Sequence, residues 1–192
     1  MSQLIDVLPE ALQAVGALLA AEQSHASIVV VGGASLNLLG LVERTTHDVD
    51  VIARSTGGDA VLVPPDPLPP ALVRAIVRVA RDFALPDDWI NTLVAKQWSQ
   101  GLPPWLAEDL EWRDFGGLQV GLAGRRTLIA LKLLAAADQS PRSVHAQDLV
   151  ALAASDAELE DASAWVVTQD ASPEFPRLVQ EIIDHVRARR DR

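Results

Sequence analysis

Apolar residues recur at helical spacing from Leu4 to Glu22, at Leu8, Leu12, Val15, Leu18 and Leu19, which predicts an amphipathic helix. Ile28-Val29-Val30-Val31 is a continuous β-branched run and reads as a buried strand that Gly32-Gly33 stops. A short helix is expected from Ala34 to Leu39, closed by Gly40. Asp48 to Ala53 alternates acid and aliphatic residues, the mark of a second strand. A turn at Ser55-Thr56-Gly57-Gly58 leads to a third at Ala60–Val63. The proline-rich stretch Pro64–Pro70 breaks the pattern before a helix over Ala71–Phe83. Pro86-Asp87-Asp88 is read as the start of a short helix over Trp89–Val94, and Leu102–Leu110 carries no clear period. Phe115, Leu118 and Val120 around Gly116-Gly117 suggest a hairpin within Trp112–Val120.

From Arg126 onward the periodicity is wholly helical: Arg126–Ala137, Ser143–Ala153, Asp156–Val167 and Pro173–Arg189. The pattern therefore predicts an α+β chain, with a small mixed sheet flanked by helices followed by a C-terminal helical bundle. The expected division is an α/β core over residues 1–122 and a helical region over 123–192, packed as one compact unit.

Composition narrows the function classes. A chain of 192 residues with 49 % apolar content can bury a core, and it contains no cysteine for disulfides or thiolate metal sites. No apolar run reaches the ~18 residues of a membrane span, and the N-terminus lacks the basic start of a secretion signal, so a cytoplasmic protein is expected. The net charge of −10 argues against a dedicated nucleic-acid binder, which must replace counterions with basic side chains. Action on RNA would need a local patch, a basic partner, or contact with one end of the polymer. The visible basic clusters are Arg125-Arg126 and the tail Arg187, Arg189, Arg190 and Arg192, the tail reading as a solvated helix end.

The candidate chemistry lies in Gly32-Gly33-Ala34-Ser35-Leu36 and Arg44-Thr45-Thr46-His47-Asp48-Val49-Asp50. Glycine lets backbone approach a ligand closely, and a following helix start offers amide N–H groups and a positive dipole end. Ser35 adds a hydroxyl to this phosphate cradle. Asp48 and Asp50 stand at i and i+2 on the expected strand, so their carboxylates share a face roughly 7 Å apart while Val49 and Val51 face the core. His47 points away from them by the same alternation. Two half-buried carboxylates repel each other, and a bound Mg²⁺ removes that cost. An acid pair on an exposed edge strand, guarding against aggregation, is the competing reading.

Together these stretches resemble the signature of the polymerase-β-like nucleotidyltransferases: a glycine-rich turn, a short helix, then an acid-x-acid strand. The closer similarity is to the AbiEii/MenT-type nucleotidyltransferase toxins and their relatives. Leu128-Ile129-Ala130-Leu131-Lys132-Leu133-Leu134-Ala135 resembles their Leu-Lys-Leu-Leu-Ala helix, and Asp148-Leu149 their later Asp-Leu. Val144-His145 stand where those relatives often carry Lys-Asp. The resemblance implies an NTP substrate, Mg²⁺ on Asp48 and Asp50, and phosphate contacts from Gly32, Gly33, Ser35 and Arg44. It further implies Lys132 on the triphosphate, Asp148 in catalysis, a tRNA end as acceptor and a cognate antitoxin protein as partner. A lone lysine among leucines needs a partner or a route to water, and a triphosphate would be such a partner. A third metal carboxylate is expected from Asp109, Glu111 or Asp114, and the alternation does not choose among them. Two other readings stay open: an enzyme of the same core acting on a cationic aminoglycoside, which an acidic surface suits, and a catalytically silent binding partner that keeps the fold.

Overall fold

The computed structural model describes residues 4–42, 46–56 and 61–191. It is a mixed α+β fold with a mixed sheet flanked by helices and a helical C-terminal region. The chain divides into two compact units: residues 1–102 with 106–124, and residues 103–105 with 125–192.

The first unit opens with α1 (Leu4–Ala21), followed by β1 (Ala26–Val31), α2 (Gly32–Leu38) and β2 (Val49–Ser55). Then come β3 (Leu62–Val63), α3 (Pro70–Asp82), β4 (Ile90–Asn91), a 3-10 turn (Leu93–Ala95) and α4 (Lys96–Gln100). The hairpin β5 (Leu110–Asp114) and β6 (Leu118–Ala123) completes it. The strand order is β3-β2-β1-β6-β5, with β4 also pairing β2. β1 is therefore central, antiparallel to β2 and parallel to β6. That position explains its uninterrupted aliphatic run: Ile28, Val29, Val30 and Val31 are all buried.

The α1 stripe Leu8, Leu12, Val15 and Leu19 is buried to 1 % exposure or less and joins a core with Ile28, Val30, Val49, Val51, Leu118, Val120 and Leu122. Each such side chain contributes about 1.5–3 kcal/mol on burial. Helix α1 can lie this close to the β5–β6 turn because Gly16 and Gly117 face each other. The Gly117 N–H donates to the Gly16 carbonyl at 3.1 Å, and a Cβ on Gly117 would stand 2.6 Å from the Ala20 nitrogen.

One expected element takes another form. Trp89–Val94, expected as a helix, instead starts with β4, because Asp48 to Asp50 recruits it: the Val49 N–H donates to the Trp89 carbonyl at 2.7 Å, and Val49 and Asp50 pair in parallel with Ile90 and Asn91. Trp89 is fully buried, and its indole N–H donates to the Ile76 carbonyl at 3.3 Å. The third strand is described only at Leu62–Val63, since Gly57–Ala60 lie outside the described residues.

The second unit holds α5 (Arg125–Gln139), α6 (Val144–Ala151), α7 (Asp156–Val166) and α8 (Phe175–Arg190). Ser143 caps α6 by accepting from the Ala146 N–H, and Ser155 with Glu158 forms a reciprocal capping box on α7. Trp105 joins this unit: the Arg126 guanidinium lies 4.0 Å from its ring centroid, and Trp165 meets it edge-on at 6.3 Å. Among the described residues, no helix is long and apolar enough to cross a membrane.

Glu158 also receives Arg125, with Nε donating at 2.6 Å and Nη2 at 3.1 Å to its two oxygens. The Arg125 guanidinium, and then the Ser155 backbone and side chain, hold this carboxyl well below its ordinary value, from 4.5 to about 2, against the opposing effect of burial. A depressed carboxyl contributes stability that is present above the unfolded value near 4.5 and is lost as pH falls toward about 2. The stability difference between the native chain and Glu158→Gln should therefore shrink as denaturation is repeated from pH 6 down to pH 3. A constant difference across that window would contradict this account.

Candidate active site

The end of β1 and the start of β2 converge at one point. Val31 pairs with Asp50, so the glycine turn leaves the sheet directly beside the acid strand. Gly32 has φ +71°, a left-handed conformation, and a Cβ built on it would stand 2.7 Å from Asp50 Oδ2. Glycine is required here twice over, for the backbone turn and for the space the carboxylate fills. Gly32→Ala should cost about 1–2 kcal/mol from the backbone conformation alone, and more if the Asp50 carboxylate is displaced. A chemical denaturation curve unchanged by this substitution would refute that.

Asp48 immediately precedes β2 and is half-buried, as is Asp50. The Asn91 side-chain amide donates to Asp48 Oδ2 at 3.5 Å, a long contact, while Asn91 Oδ1 accepts from the Leu93 N–H at 2.9 Å. Buried Thr46 donates its hydroxyl to the Asp48 carbonyl at 3.1 Å, which fixes the backbone of the first acid. Val49 and Val51 are fully buried in the core, so the alternation expected of the acid strand holds. His47 is exposed. Arg44, expected to contact phosphate, lies outside the described residues, as does Thr45.

Gly33 is buried at the start of α2. Ser35 is fully buried, and its hydroxyl stands 3.1 Å from the Val30 carbonyl oxygen and 3.3 Å from that of Ala123. Its single hydrogen serves those carbonyls. Ser35 therefore ties α2 to β1 and β6.

The three candidates for a further acid lie on β5 or immediately before it. β5 is separated from β2 by β1 and β6, roughly three strand spacings of ~4.8 Å. Glu111 accepts from Arg113 at 2.9 Å, and Asp114 accepts from the Gly116 N–H at 2.7 Å to shape the hairpin turn. Asp109 accepts the Gly124 N–H through its backbone carbonyl at 2.7 Å. Among the described residues, no three His, Asp or Glu side chains gather as a metal-binding cluster. The position sequence reasoning missed is Asn91, which takes its place beside Asp48 through the β2–β4 pairing. Its signal was weak: a two-residue strand read as the start of a helix.

Lys132 and Asp148 belong to the second unit, on α5 and α6. They form an ion pair at 2.6 Å, with side chains only 8 % and 4 % exposed. The partner that the lysine requires is thus present within the chain. Arg142 is exposed just before α6, and His145 is half-buried on it.

A left-handed glycine against one carboxylate, with a second carboxylate two residues away, can hold a divalent cation and the phosphates that cation binds. Both acids offer hard oxygen donors from half-buried positions, the donor chemistry Mg²⁺ prefers. No curated protein and no solved structure matches this chain. Residues 6–91, the segment that carries α1, the glycine turn, both acids and Asn91, match the model of a family described as "Nucleotidyltransferase of unknown function (DUF6036)", and that match supports the nucleotidyltransferase superfamily for this part of the chain.

Proposed function

We propose that the chain transfers a nucleoside monophosphate from an NTP to an acceptor hydroxyl, with Asp48 and Asp50 at the reacting centre. The observation that carries this reading is the placement of the Asp50 carboxylate against Gly32, which joins the phosphate-approaching backbone to the acid strand. Mg²⁺ held by Asp48 and Asp50 would supply charge neutralisation on the attacking and leaving oxygens. The α-phosphorus would lie beside the two acids. The open backbone at Gly32 and Gly33 accommodates the outer phosphates, and Asn91 and Thr46 hold Asp48 in place. The acceptor oxygen bonds to phosphorus as the bond to pyrophosphate breaks, and the hydroxyl proton passes to solvent. We assign Ser35 to bracing the turn.

Lys132 on the triphosphate, Asp148 in acceptor activation and Arg44 on phosphate enter as the resemblance to AbiEii/MenT-type toxins assigns them. The same resemblance supplies the tRNA end as acceptor, the antitoxin as partner and the cytoplasm as location. A tRNA end suits a chain of net charge −10, because only a small basic rim need meet it.

The test incubates the protein with each labelled NTP, Mg²⁺ and total RNA, with an aminoglycoside in a parallel reaction. Label on tRNA that disappears in Asp48→Ala is the expected result. Label on the aminoglycoside alone would keep the chemistry and replace the acceptor. No transfer to RNA, protein or aminoglycoside from any NTP would refute the assignment and favour the silent binding partner.

A further inference from the structure

A second polar cleft opens at the opposite end of the same sheet. β1 runs away from it toward Gly32, and β2 runs back into it from the acids. Arg54 lies four residues beyond Asp50 on β2, roughly 13 Å along the strand at ~3.3 Å per residue. The cleft has a volume of about 470 Å³, within the range of sites that hold small ligands.

Its polar side chains come from the ends of three strands. His25 and Ser27 stand at the start of β1, Arg54, Ser55 and Thr56 at the end of β2, and Gln119 at the start of β6. Ser27 and Gln119 are register partners across the parallel β1–β6 pair, and the Ser27 hydroxyl donates to Gln119 Oε1 at 3.2 Å. Arg54 Nε donates to the Pro64 carbonyl at 3.2 Å, which anchors the half-buried guanidinium by one of its five N–H donors. Among the described residues, no carboxylate pairs with Arg54, and no residue lining the cleft is acidic. In a chain with 26 acidic and 16 basic residues, a cleft whose described lining gathers an arginine, a histidine and three hydroxyls and no acid favours negative charge.

We infer that this cleft is an anion site, separate from the acid pair, that takes a phosphate-bearing ligand with Arg54 as its principal donor. The guanidinium fork matches two phosphate oxygens at once, and the hydroxyls of Ser55 and Thr56 and an imidazole N–H of His25 complete a donor set for a tetrahedral oxyanion. The phosphate belongs either to a small free molecule or to the backbone of a nucleic acid. The shared chemistry is the same for both.

The full chain is titrated without Mg²⁺ by calorimetry with inorganic pyrophosphate, with AMP, and with a single-stranded RNA 12-mer. The titrations are repeated on Arg54→Gln, on Gln119→Glu, which puts a carboxylate into the cleft from an exposed position, and on Asp50→Asn. Binding of a small anion that weakens tenfold or more in the first two variants and persists in Asp50→Asn is the expected result. The same pattern with the RNA alone would support the site with backbone phosphate as the source. Absence of binding by all three probes, equal binding in the native chain and Gln119→Glu, or loss of binding in Asp50→Asn would each overturn the inference.

Discussion

Asp48→Asn and Asp50→Asn should each lower nucleotidyl transfer by about 10²–10³-fold, the loss seen when one charge-stabilising group is taken from a preorganised site. The substitutions keep the size and much of the hydrogen bonding of each side chain, and both positions are only half-buried. What they remove is one negative charge from the pair proposed to hold the cation. The fold should therefore register the change far less than the activity. Thermal denaturation is expected to move by no more than a few degrees. Activity falling while stability holds or rises separates a residue kept for chemistry from one kept for architecture. Label transfer measured alongside thermal denaturation decides the matter. Transfer within tenfold of the native chain in both variants would remove the acids from the reacting centre.

The Lys132–Asp148 pair carries the largest expected effect on stability. Asp148→Ala would leave the Lys132 ammonium almost fully buried without its carboxylate, and such a loss costs about 3–5 kcal/mol. Lys132→Met takes the ammonium away from the buried Asp148 carboxylate and should also destabilise the chain. Removing both charges is another matter, since well-packed apolar residues replace buried ion pairs at little net cost. Lys132→Met combined with Asp148→Leu should recover most of the loss in urea denaturation. A single substitution costing less than about 1 kcal/mol would mean that water reaches the pair and relieves it. The double variant also separates architecture from chemistry. If it folds yet transfers no label, the roles that the resemblance assigns to these residues gain support. If it folds and transfers normally, the pair serves the second unit alone.

The elements legible in the sequence are those whose burial is periodic and local. The α1 stripe, the aliphatic run of β1, the acid-aliphatic alternation of β2 and the four C-terminal helices each announce themselves within a window of a dozen residues. β4 escaped because a two-residue strand has no period; its pairing with Val49 and Asp50 exists only once the chain returns from α3. Leu102–Leu110 could not be read because Pro103–Trp105 belongs to a different unit from the residues on either side. The acid pair and the glycine turn were visible as motifs, and their approach through the Val31–Asp50 pairing follows from the strand order. Asn91 was hidden with β4. Lys132 and Asp148 were both singled out in the sequence, but as groups facing a substrate. Nothing in helical spacing alone reveals that two charges on different helices meet at 2.6 Å.

The parallel pairing of β1 with β6 has a consequence for how the chain is made. β1 emerges early, but its neighbour on one side is encoded about 90 residues later. At a synthesis rate of roughly 5–20 residues per second, the apolar strand Ile28–Val31 waits about 5–18 s before that partner exists. The segment through Asn91 leaves the ribosome with one edge of its central strand uncovered, and without Leu118, Val120 and Leu122 to close the core. The first unit thus cannot complete itself before β6 has been made. During that interval the nascent chain is a substrate for chaperones and a template for aggregation, and stalling or truncation near Asn91 would leave the glycine turn and both acids synthesised on a unit that cannot close its core.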